Sequence, residues 1–284
     1  MTPRLQSRET VGKAVAVFYG VAFGGCLTIA LLMEAQGLNV NNAPWYVAGA
    51  MWLPALGRLL ATRTVDRGWA TPLPLTRWGR PRWFPLGGPL LIVAAVYAVS
   101  YGIAALTGLA AWSPRWGEPA RIVLNLGVNL ILGLPLAAVY ALGEELGWRG
   151  YLQPRLESAA VPYAFLFVAV LWWAYHLPLV VLGGYLADSS PLFGQARFLL
   201  LEIALSLLFA WASYRAGSVW PAVWFHAAHN LLSQNIFPAL FQGTEKSVWL
   251  QEAGILPVAA YCAIAAVLLR SGRHAPSTLQ DVKV

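Results

Sequence analysis

Two adjacent glutamates and an arginine, Glu144, Glu145 and Arg149, sit at the end of an apolar run, and two later apolar runs supply His176 and then His226 with Asn230. A carboxylate and an imidazole together can take a proton from water, and an imidazole with a carboxamide can donate hydrogen bonds to a developing oxyanion. Ionisable groups at membrane depth are costly unless they face a bundle interior or an aqueous cavity. Three such faces on three segments therefore point to a held site.

The spacing divides the labour. Glu145 and Arg149 are four apart and share a helical face in the acid-before-base order that suits an ion pair. Glu144 points about 100 degrees away, toward another helix, and is the candidate general base. His176 follows Trp172 by one turn in LWWAYHLP, and His226 and Asn230 stack four apart in WFHAAHN, with His229 on a neighbouring face. Taken singly, each motif also reads as an interfacial salt bridge or an interhelical hydrogen bond.

Composition sets what carries these residues. With 58% hydrophobic residues, 11% charged, 14 Trp and a mean hydropathy of +0.59, the chain reads as a polytopic, all-α membrane helix bundle. The net charge of +7 comes mostly from arginine. Those residues lie in short segments beside apolar spans rather than on one basic face, so the partner they indicate is the lipid bilayer and not nucleic acid. Cys26 and Cys262 fall in apolar stretches and make neither a disulfide framework nor a paired metal motif. Arg4, Arg8 and Lys13 precede an apolar run longer than a signal-peptide core and without a clear cleavage site, which reads as the first membrane helix.

About eight spans are expected, at roughly 14–33, 45–62, 84–109, 122–143, 161–182, 198–214, 217–238 and 253–269. Gly143 to Glu157 should continue the fourth helix past its apolar part. Of the 19 Lys and Arg, 15 fall on the face shared by both termini and 4 (Arg115, Arg121, Arg197, Lys246) on the other. Both termini should then be cytoplasmic, in a multi-pass protein of the plasma (inner) membrane. The basic loop from Arg63 to Arg82 reads as a topology anchor on headgroups, 183–196 as an outer loop, and 271–284 as a polar cytoplasmic tail. One membrane-embedded domain accounts for 1–284, with a motif-bearing core at 122–238.

The order EExxxR (Glu144, Glu145, Arg149), aromatic-xxx-H (Trp172, His176) and HxxxN (His226, Asn230) resembles the CPBP family, the CAAX prenyl endopeptidases and the bacteriocin-processing or immunity proteins also called Abi. The resemblance implies an intramembrane endopeptidase acting on a membrane-associated or lipid-modified, CAAX-like peptide or protein. It implies that Glu144 and His176 activate water, that His226 and Asn230 form an oxyanion hole, and that Glu145 and Arg149 support them. Trp172 stands where the family usually has phenylalanine, and His229 matches no motif position.

No HExxH, serine-protease or GxGD motif occurs. No metal is expected, since asparagine beside histidine suits an oxyanion hole better than a zinc shell, although Glu144, His176 and His226 are acceptable zinc ligands and a zinc-dependent protease stays open. A non-catalytic immunity or scaffold protein and a proton-coupled transporter are the other readings. One piece of arithmetic opposes the site: with these span ends, Glu144 sits near the cytoplasmic end of the fourth helix, while His176 lies about 20 Å up the fifth from the same side.

Overall fold

The protein is described by a computed structural model covering residues 8–186, 191–243 and 246–272. It is an all-α membrane bundle. Its helical rods are α1 (Arg8–Ala35), α2 (Pro44–Thr64), α3 (Phe84–Leu106), a continuous fourth rod, α7 (Ala164–Val181), α8 (Pro191–Ala216), a seventh rod and α12 (Ile255–Arg270). The fourth rod joins α4 (Pro119–Val128), α5 (Leu134–Gly147) and α6 (Gln153–Ser158) through π-helical turns at Asn129–Gly133 and Trp148–Leu152. The seventh joins α9 (Trp220–Leu231) to α10 (Phe237–Leu240) through a π-turn at Leu232–Ile236, and α11 (Lys246–Trp249) is a single turn before α12.

These rods coincide with the eight apolar runs. Five of them, at Glu9–Ala35, Phe84–Leu106, Pro119–Ser158, Ala164–Val181 and Pro191–Ala216, are long and apolar enough to cross a membrane. Aliphatic residues of the fourth rod stay exposed, among them Val123 at 70% and Ile131 at 72%, as a lipid-facing surface requires and a water-facing one would not tolerate. On the face away from the termini, a two-stranded antiparallel pair, β1 (Ala111–Trp112) and β2 (Phe241–Gln242), ties the connection after α3 to the end of α10.

The fourth rod removes the arithmetic objection. At 40 residues it spans about 60 Å, twice a bilayer core. Glu144 lies 14 residues before its end at Ser158, and His176 lies 12 residues after α7 begins at Ala164, so both stand about 20 Å from the same face. The expected continuation of the fourth helix through Glu157 is present, and the candidate span runs with it to Ser158 rather than stopping at 143. The polar side chains of the extension are satisfied inside the protein: Arg155 donates to both oxygens of Asp66 at 2.7 and 3.0 Å, and Tyr151 Oη donates to Asp66 at 3.1 Å.

That pairing adds a docked side to the basic loop. Asp66 and Leu73 are buried, and Trp69 packs edge-on against Tyr151, so much of 63–82 is docked onto the bundle while its arginines face outward. The outer loop is shorter than 183–196, because α8 begins at Pro191. Positions 187–190, and the tail from 273 onward, lie outside the described residues.

Candidate active site

Glu144 is placed by close helix packing. A side-chain carbon on Gly143 would sit 2.5 Å from the Met51 carbonyl oxygen, and one on Gly147 would sit 2.7 Å from the Pro54 carbonyl, so α2 and α5 touch through backbone. Only small residues allow that approach, and membrane helices associate through such small-xxx-small contacts. The Glu144 and Glu145 side chains, between the two glycines, are thereby turned into the bundle, where both are buried. Glu144 Oε2 accepts from the indole nitrogens of Trp172 at 2.6 Å and Trp148 at 3.2 Å. Among the described residues no hydrogen bond is made by its other oxygen, and Glu144 lines the cavity.

Glu145 points about 100 degrees round the helix from Glu144 and is also buried. Its Oε1 accepts from Arg149 Nη1 at 3.1 Å and from His226 Nδ1 at 2.9 Å. Arg149 is fully buried, donates through Nη2 to Ser206 Oγ at 2.9 Å, and lays its guanidinium over Trp172 at 4.2 Å and Phe209 at 4.8 Å from the ring centroids. A planar cation held between aromatic faces and a carboxylate closes the bundle on the terminal side of Glu144.

The imidazoles are oriented by their partners. His176 Nδ1 faces the Trp172 carbonyl oxygen at 2.9 Å, so that nitrogen carries the proton and Nε2 is the acceptor. The His226 Nδ1 proton goes to Glu145. His229 Nδ1 meets Tyr261 Oη at 3.1 Å on the neighbouring face.

A cavity of about 480 Å³ is lined by Glu144, Trp172, His176, His226 and Asn230 together. Five of the seven residues singled out from the sequence thus share one space, and Glu145 and Arg149 pack beside it, Glu145 in contact with His226. Among the described residues no three His, Cys, Asp or Glu side chains converge in a way that would hold a metal ion.

The cavity also contains residues that were not anticipated. Glu202 is buried on α8 with Oε2 lacking a hydrogen-bond partner among the described residues. Glu252 accepts from Tyr185 Oη at 2.7 Å and from Gln234 Nε2 at 3.0 Å. Glu202 had a legible signal, since an acid inside the apolar run FLLLEIALS breaks the hydropathy. Glu252 had none, being a charge in a connection.

Residues 126–232 match the family described as Type II CAAX prenyl endopeptidase Rce1-like, in agreement with the resemblance carried by the three motifs. The matched segment spans all of the candidate site residues and implies a protease, a hydrolase. No curated protein matches the chain.

Proposed function

We propose, taking that match as premise, that this protein is an intramembrane endopeptidase that hydrolyses a peptide bond of a membrane-associated substrate with a glutamate-activated water. The observation that carries the reading is the meeting of Glu144, His176, His226 and Asn230, from three rods, around one cavity. Glu144, anchored on one oxygen by two indoles, takes a proton from water with the other, and His176 Nε2 shares that proton. The hydroxide adds to the scissile carbonyl. The oxyanion is met by His226 Nε2–H and the Asn230 carboxamide. Collapse of the tetrahedral species returns the proton to the leaving amine and frees the two product chains.

The Glu145 contact sets a condition on this scheme. With Nδ1–H committed to a carboxylate, His226 donates from Nε2 only as an imidazolium, and Glu145 is the counter-ion such a cation needs. Glu145 is thus a positioning residue for His226, not only a brace for Arg149. Comparing the membrane proteomes of cells carrying wild-type or Glu144→Gln protein tests the reading. Cleavage products that depend on the wild-type carboxylate support it, and an identical product set from the Glu144→Gln protein would sink it.

A further inference from the structure

Among the described residues, the lining of the cavity reaches one end of the bundle. Its outer lining comes from the α1–α2 connection (Val40, Asn41), the segment after α7 (Gly184, Tyr185) and the approach to α12 (Gln251), all at the end of the bundle away from the termini. Asn41 and Gly184 are exposed there, as is Gln234 inside the cavity, and Val40 N donates to the Gly183 carbonyl at 3.0 Å, which holds two sides of the mouth together. Trp172 lies nine residues before the end of α7, so the Glu144 carboxylate is about 14 Å below this mouth. Toward the termini the lining gives way to the stacked Arg149 and then the Asp66–Arg155 pair with Tyr151, all buried and none of them part of the lining.

The charge distribution assigns the two faces. Arg149, Arg155 and Arg197 are buried and say little about orientation, but Arg63, Arg67, Arg77, Arg80 and Arg82, with Arg215 and Arg270, are exposed at the terminal end. At the mouth end, Arg115 and Arg121 are the exposed arginines among the described residues. The bias puts the terminal end in the cytoplasm.

We infer that the cavity is extracytoplasmic, so that the substrate is a peptide segment presented at the outer face of the membrane rather than a lipid-modified tail on the cytoplasmic leaflet, which would meet that buried floor. This rests on the endopeptidase reading for the word substrate, but the direction of access stands apart from it. Single cysteines in a Cys26→Ala, Cys262→Ala protein, probed on intact cells with a membrane-impermeant maleimide, test it. Asn41→Cys and Gln234→Cys are expected to react on intact cells, and Thr76→Cys, exposed in the basic loop, only after permeabilisation. Thr76→Cys reacting on intact cells overturns the assignment. So does Gln234→Cys remaining unreactive in cells where Asn41→Cys reacts. Labelling reads access alone, so a Glu144→Gln protein that still cleaves would remove the peptidase reading and leave this result in place.

Discussion

Glu145 and His226, 81 positions apart, are joined by a 2.9 Å contact between Oε1 and Nδ1, and the same oxygen also accepts from Arg149 at 3.1 Å. One carboxylate therefore serves both the aromatic-stacked floor and the imidazole that faces the cavity. Glu145→Gln keeps the volume but removes the counter-ion. Turnover should fall about 100-fold, as when an oxyanion donor is lost, with KM little changed and the pH–rate profile altered in shape. Glu145→Ala should in addition cost about 3 to 5 kcal/mol in detergent unfolding, because it leaves the Arg149 charge uncompensated. A stability loss with an unaltered pH profile in both variants would reduce Glu145 to a brace.

Trp172 holds Glu144 with its indole N–H at 2.6 Å and Arg149 with its ring at 4.2 Å. Trp172→Phe keeps the ring face and deletes the donor. The protein should fold, and kcat should fall about tenfold, the rate equivalent of about 1.4 kcal/mol for one lost hydrogen bond to a charged group. Steady-state kinetics on the purified variant would show this, and unchanged kcat would mean that the indole does not orient the base.

The α2–α5 contact should tolerate nothing larger than glycine at 147. Gly147→Val pushes α2, whose Pro54 carbonyl lies against this position, away from α5 and displaces Glu144, so about 1 to 3 kcal/mol of stability and most activity should go together. Gly12→Ala, at a position of α1 with nothing within 4 Å, is the control and should be neutral or slightly stabilising. Thermal-shift midpoints for the two variants give the comparison.

Asp66 should matter for folding and not for chemistry. Asp66→Asn removes the carboxylate that Arg155 grips with two hydrogen bonds, at a cost of about 3 to 5 kcal/mol, while turnover per folded molecule stays near wild type. Detergent melting curves read beside active-fraction-corrected rates separate the two effects.

Metal dependence has its own experiment. Under the glutamate mechanism proposed above, activity survives dialysis against chelators. Stoichiometric zinc that is lost together with activity, and restored with it on adding zinc back, would replace that mechanism with a metal one.

Composition and apolar run lengths were sufficient for a membrane helix bundle, because a bilayer admits few other solutions for a chain this apolar. The eight runs fall on eight rods for the same reason. The motif residues were legible too, since carboxylate, imidazole and carboxamide inside apolar helices are expensive unless they serve something, and four of them line one cavity with Trp172. Even the α2–α5 contact was written as GEELG, although its meaning depended on which helix lay opposite. What only the tertiary structure decided were relations between rods. The continuation of the fourth helix past 143 was expected, but what holds it in the bundle, with Glu144 and His176 at a common depth, is Asp66 arriving from a distant loop to meet Arg155. The Glu145–His226 contact and the position of the cavity mouth depend likewise on the register between helices. Register is set by where backbones can approach and which buried polar groups find partners, and both are properties of pairs of segments that no single stretch of sequence contains.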